Sequence, residues 1–155
     1  MAETIRAALL QPDWAGTKEA MIDKHEVAAR EAAAGAWRGP LLDGLDVAGS
    51  DEFEHWLALM RQRAQRDVLA LRRGLVQEHE ANGALDLAIG HARGLLEIDE
   101  TDEPTHMTLM RLLASRGQRT AALAQYEACR AALAERLGAR PSAECYALYT
   151  HIHSE

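Results

Sequence analysis

The chain has 155 residues, of which 48% are hydrophobic and only 5% aromatic, and its net charge is −7. This length predicts one domain over residues 1–155 that buries enough surface to fold without a disulfide or structural metal. The acidic balance argues against a duplex-binding domain, and the absence of a signal peptide or a membrane-length apolar run predicts a cytoplasmic protein with no membrane partner.

The first two predicted elements are helices. Residues 3–10 are predicted to form a short helix, and a second helix is predicted from about residue 17 to Trp37. Gly39 and Pro40 end this helix, because the residue before a proline is pushed out of the helical region.

A long helix is predicted from the Ser50 N-cap to about Ala81, with three acidic residues in its first turn. Its apolar residues recur every three or four positions, and they are Phe53, Trp56, Leu57, Met60, Ala64, Val68, Leu71 and Leu75. We therefore interpret the tryptophan- and glycine-rich stretch 37–57 as a joint between packed helices, with both tryptophans in packing faces, and not as a catalytic loop. The arginines of this helix between residues 61 and 73 are predicted to spread over more than one face.

The remainder of the chain repeats with a period of 34 residues. The shift aligns Gly83 with Gly117, and it also aligns several core positions: Leu75 with Leu109, Ala88 with Ala122, and Ile89 with Leu123. A helix–turn–helix unit of this period is typical of tetratricopeptide-like repeats. We predict an all-α fold of stacked helical hairpins, with a glycine in each turn and a small alanine at each helix contact.

The match to the repeat pattern is imperfect at two positions. Ala92 stands where the second copy has Tyr126, and Glu100 stands where a proline usually ends the repeat. The acidic run from Asp99 to Glu103 is interpreted as a solvated loop.

No pattern in the sequence favours catalysis or a metal. The seven histidines form no metal-binding motif, and His79, His91 and His106 are far apart in sequence. Cys129 is predicted to be a buried structural thiol. Cys145 follows a predicted cap at Ser142, so the helix N-terminus is expected to favour a lowered pKa. We expect no cofactor, no metal and no catalytic residue.

Four segments carry a resemblance to a known family: "WRGPLLDGL", "DEFEHWLALMRQR", "GALDLAIGHARGLLEID" and "THMTLMRLLASRGQRTAALAQYEACRAALAERLGARPSAECYALY". Together they resemble the bacterial transcriptional activator domain of antibiotic regulatory proteins. The resemblance implies a tetratricopeptide-like domain that couples signals through protein contacts inside transcription regulators. A winged-helix DNA-binding domain usually precedes it, and the roughly 36 residues before Trp37 are too few to hold one.

In such arrays the first helix of each hairpin lines a concave groove. The repeat register places Arg73 and Gln77 on this wall in the first copy, and Met107 and Arg111 in the second. Two arginines and a methionine would suit an acidic, partly apolar protein segment. An alternative is that these residues are merely exposed or lie between helices.

Three functions follow from these predictions. The first is a non-enzymatic interaction domain of a bacterial transcription regulator, which docks a partner protein, a sister subunit in a homodimer or a neighbouring domain. DNA would be reached only through a domain absent from this chain. The second is a free-standing repeat scaffold, and the third is a helical ligand sensor with a pocket between helices.

Overall fold

A computed structural model describes residues 26–40 and 51–154, so the predicted helix 3–10, the start of the second helix and the Ser50 cap lie outside the described residues. The chain divides into two compact units, residues 1–38 and 39–155. In the first unit, helix α1 covers residues 26–36 and ends before Gly39, as predicted. The prediction of one domain over residues 1–155 stays a prediction.

Residues 51–154 of the second unit form five helices, which follow one another with short turns. They are α2 (Asp51–Ala81), α3 (Leu85–Leu96), α4 (Glu103–Ser115), α5 (Arg119–Leu137) and α6 (Ala143–Ser154). Each helix packs against the next in the chain, and α6 also reaches α4. Since neither described range contains a strand, the prediction of an all-α fold of stacked hairpins is confirmed.

The turns of the two hairpins are the same structure 34 residues apart. Gly83 and Gly117 adopt φ values of +70° and +77°, in the left-handed region where glycine is favoured. The residue after each glycine donates its backbone N–H to the carbonyl five residues earlier. Ala84 N donates to His79 O at 2.8 Å, and Gln118 N donates to Leu113 O at 2.8 Å. These bonds satisfy carbonyls that the helix end leaves open. The predicted turn positions are therefore confirmed.

Two of the three predicted pairs of core positions are buried in both copies; in the third pair Ile89 is buried, but Leu123 is only partly buried. Leu75 and Leu109 are 0% and 1% exposed, and Ala88 and Ala122 are both 0% exposed. The alanines allow the second helix of each hairpin to lie close to the first, because a larger side chain at the contact would hold the backbones apart. The core continues from these hairpins into α6 through Cys145 and Ile152.

Helix α6 is held at both of its ends. At its start, the Ser142 Oγ accepts a hydrogen bond from Cys145 N at 3.1 Å, which confirms the predicted cap. At its end, Arg119 Nε donates to the carbonyl of Ile152 at 2.9 Å, and its Nη2 donates to the carbonyl of His153. A cation at this position also interacts favourably with the negative end of the helix dipole.

Two features of α2 can be compared with the sequence interpretation. Trp56 stacks on Phe53 with ring centroids 5.8 Å apart, but it remains 47% exposed, so its predicted place in a packing face is only partly correct. The arginines do point in different directions. Arg63 pairs with Asp67 on the same helix, Arg72 lies against Gly94 of α3, and Arg73 bonds to the loop before α4.

Candidate docking groove

A cavity of about 260 Å³ lies between α2 and α4. Its lining comes from both helices and from α3, and consists of Arg73, Val76, Gln77, Glu80, Ala92, Leu95, Pro104, Thr105, Thr108 and Arg111. We call this surface the groove. Three of the four residues predicted to line a groove, Arg73, Gln77 and Arg111, meet here. Met107 is half-buried and packs against the core instead, so the structure does not place it in the cavity lining.

Helical periodicity explains why these side chains face one another. Arg73, Gln77 and Glu80 follow one another on α2 at intervals of four and three residues, and Pro104, Thr108 and Arg111 repeat the same intervals on α4. Residues at this spacing lie on one face of a helix. The two first helices of the hairpins therefore form opposite walls, and apolar residues of α2 and α3 lie beneath them.

The floor of the groove is apolar and its rim is charged. Val76, Ala92 and Leu95 are between 0% and 4% exposed and lie among the cavity-lining residues. The rim carries two arginines, with Glu80 as the acidic member of the lining. This combination suits a ligand that has an apolar part and a negative charge.

Each arginine of the groove already makes one contact within the protein. Arg73 Nη2 donates to Asp102 Oδ2 at 3.0 Å, while the Arg73 side chain remains 53% exposed. Arg111 Nη2 donates to Thr108 Oγ1 at 3.1 Å. Since a guanidinium has five N–H donors, both arginines keep donors for a carboxylate of a partner.

The interpretation of the acidic run Asp99 to Glu103 as a solvated loop is only partly correct: Asp99 and Glu100 are exposed, but three acidic side chains of the run bind other parts of the chain. Glu100 forms an ion pair with Arg136 of α5, and Asp102 accepts hydrogen bonds from Arg73 and from Thr105 Oγ1, the latter at 2.6 Å. Glu103 accepts hydrogen bonds from the backbone N–H and the hydroxyl of Ser142, at the start of α6. The loop between the hairpins thus connects α2, α5 and α6.

A buried histidine holds the same loop, and the sequence interpretation missed it. His106 is 3% exposed. Its Nε2 lies 2.9 Å from the carbonyl of Glu100, and its Nδ1 lies 2.6 Å from Gln125 Nε2. Through these two contacts the His106 ring connects the loop before α4 to α5.

His79 and His91, which appear unrelated in sequence, also come together. Their rings stack with centroids 5.5 Å apart and planes 4° apart, across the contact between α2 and α3. They are twelve positions apart and a hairpin turn lies between them, so neither a motif nor a helical period connects them in the sequence.

The two cysteines are also neighbours. Cys129 of α5 and Cys145 of α6 are both 0% exposed, which confirms the prediction that Cys129 is buried. The two thiols lie close enough for each to affect the pKa of the other. Burial, together with Cys145 and Glu103, raises the pKa of the Cys129 thiol to about 12. Burial and the Glu103 carboxylate also raise the pKa of Cys145, so the expected lowering at the helix N-terminus was wrong.

Raising the pH from about 8 to about 11 is expected to lower the free energy of unfolding. The ordinary thiol pKa is 9.0, whereas folded Cys129 keeps its proton up to about pH 12. Between these values the unfolded chain binds fewer protons than the folded one. The contribution of the thiol to the free energy of unfolding is therefore fully present below pH 9.0 and is lost as the pH rises towards 12. Urea unfolding at several pH values measures this effect. The Cys129→Ala/Cys145→Ala variant should decline less steeply, and an equal decline would contradict the thiol origin.

The stacked hairpins and the open groove define a helical repeat domain of the tetratricopeptide-like class. A family model described as "Bacterial transcriptional activator domain" matches residues 7–153. The chain therefore belongs to the bacterial transcriptional activator domain family, a family of regulatory domains. No curated protein and no solved structure matches the chain. In residues 26–40 and 51–154, none of the helices has the length and apolar character needed to cross a membrane.

Proposed function

We propose that the domain is a non-enzymatic, cytoplasmic docking module of a bacterial transcription regulator, which binds a protein partner or a sister subunit through the groove. The observation that carries the proposal is that Arg73, Gln77 and Arg111 meet around one cavity with an apolar floor. DNA would be contacted by another domain of the regulator. The net charge of −7 supports this division, since it disfavours phosphate binding by this segment.

The size of the cavity favours a protein segment over a small-molecule effector. Pockets for small ligands and cofactors are usually about 300–1,000 Å³ and enclose most of the ligand. The cavity of about 260 Å³ falls below this range and opens between two helices. A peptide or helix lying along the groove would place only one of its side chains in such a space.

The charges indicate which kind of segment would bind. Arginine binds carboxylates with two parallel hydrogen bonds, and both groove arginines are exposed. They lie on opposite walls, so an acidic segment could contact both of them. An acidic, partly apolar segment therefore complements the groove better than a basic one.

Reversing both charges, in the variant Arg73→Glu/Arg111→Glu, is expected to weaken binding of an acidic peptide by roughly tenfold or more. The attraction to the peptide is replaced by repulsion. Because Arg73→Glu also removes the hydrogen bond to Asp102, the melting transition of the variant is compared with that of the wild type. Isothermal titration measures the affinity, and circular dichroism confirms the helical content.

A matched control is Arg63→Glu/Arg130→Glu, which makes the same change in net charge outside the groove. Arg63 and Arg130 are 71% and 60% exposed, and each pairs only with an acid on its own helix. The control should bind nearly as the wild type does, apart from a small loss of long-range attraction. If the groove variant and the control bind equally well, the groove is not the docking site.

A further inference from the structure

We propose that the cavity is an anchor pocket for one large apolar side chain of the partner, preferably aromatic, with acidic residues on either side of it. This proposal rests on the proposed docking function and specifies which ligand the groove selects. It derives from a difference between the two copies of the repeat.

The difference lies at a single register position. Ala92 in α3 corresponds to Tyr126 in α5, 34 residues later. In the second copy the tyrosine ring fills the space towards the following helix: Tyr126 is 8% exposed and stacks on Tyr149 of α6, with ring centroids 4.4 Å apart. In the first copy the side chain at this position ends at Cβ.

The cavity borders the position where the first copy lacks this ring, because Ala92 is one of its lining residues. Ala92 is fully buried beneath it, and the following helix, α4, provides the opposite side through Pro104, Thr105 and Thr108. In the second copy the larger side chain at this position packs against the following helix, α6. In the first copy, a side chain of the partner would therefore provide the packing against the next helix that the Tyr126 ring provides in the second copy.

The chemistry of the wall supports an apolar occupant. The Thr105 hydroxyl donates to Asp102, and the Thr108 hydroxyl donates to the carbonyl of Pro104 at 3.0 Å. Since both hydroxyl protons are already used, the two threonines have no O–H to donate to a ligand, and the floor of Val76, Ala92 and Leu95 offers apolar contacts.

The cavity, of about 260 Å³, has room for one aromatic ring. Filling it with an aromatic side chain would remove apolar surface of both molecules from water, which is the main source of affinity at such anchors. The arginines at the rim would then bind the acids on either side of the anchor.

The test uses three peptides, acetyl-Glu-Asp-X-Asp-Glu-amide, in which X is Phe, Leu or Ala. Titration of the isotope-labelled domain, followed by amide chemical shifts, gives the affinities and the location. We expect the Phe peptide to bind at least about tenfold more tightly than the Ala peptide and to shift the amide signals of Ala92, Leu95 and Thr108.

Two variants fill the pocket from different sides, Ala92→Phe from the floor and Thr108→Phe from the wall. In whichever variant keeps the wild-type circular dichroism and melting transition, the Phe peptide should bind only as weakly as the Ala peptide. The control is Ala128→Phe at an exposed position of α5, which should keep the discrimination.

The outcomes separate the two proposals. If the wild type binds the Phe and Ala peptides equally, the anchor pocket is wrong and the acidic groove stands. If a folded filled variant still prefers the Phe peptide, the anchor pocket is also wrong. If the wild type binds none of the peptides, the acidic groove fails, and the anchor pocket fails with it.

Discussion

Replacing Leu109 with alanine is expected to lower the free energy of unfolding by about 2–5 kcal/mol. Leu109 is 1% exposed and lies on α4, which contacts α3, α5 and α6, so the cavity left by the substitution would open between both hairpins. Domains are usually stable by about 5–15 kcal/mol, so this loss is a large fraction of the total. Urea unfolding followed by circular dichroism measures it.

The matched control is Leu87→Ala on α3. Leu87 is 49% exposed, and removing a partly solvated side chain should change stability by no more than about 0.5 kcal/mol. Equal effects of the two substitutions would mean that α4 does not lie at the centre of the core.

Replacing Gly117 with valine is expected to destabilise the domain by more than about 1 kcal/mol. No atom lies within 4 Å of the position that a Cβ would occupy, so the cost does not arise from a clash. It arises from the backbone, because φ is +77° and a β-branched residue is strained in this region. Thermal or urea unfolding measures the change.

Gly90→Ala separates backbone strain from the general effect of adding a side chain. Gly90 lies within α3, is exposed, and also has nothing within 4 Å of a new Cβ, but it has no positive φ. Alanine there should stabilise the helix by about 0.5–1 kcal/mol. An unchanged transition for Gly117→Val would contradict the strained turn.

Local physical chemistry is sufficient to predict most of the described fold. The 34-residue period, the glycine turns and the buried alanines depend on short-range preferences, which are visible in one sequence. The same register predicts that Arg73, Gln77 and Arg111 come together, because equivalent positions of stacked hairpins share a face. The register does not predict the place of Met107 correctly. Met107 and Arg73 occupy equivalent positions of the two copies, but the apolar Met107 side chain packs against the core, whereas the charged Arg73 side chain bonds to Asp102 in the loop before α4.

The sequence by itself therefore determined the helices, their turns, the stacking and the position of the groove. Only the tertiary structure decided the contacts between distant residues. Arg73 and Asp102 are 29 positions apart, Glu100 and Arg136 are 36 apart, and Glu103 and Ser142 are 39 apart. Tertiary packing also decided that Cys129 lies near Cys145 and that His79 stacks on His91. Helical periodicity sets which face a residue occupies, but which residue it meets on another helix depends on how the hairpins pack.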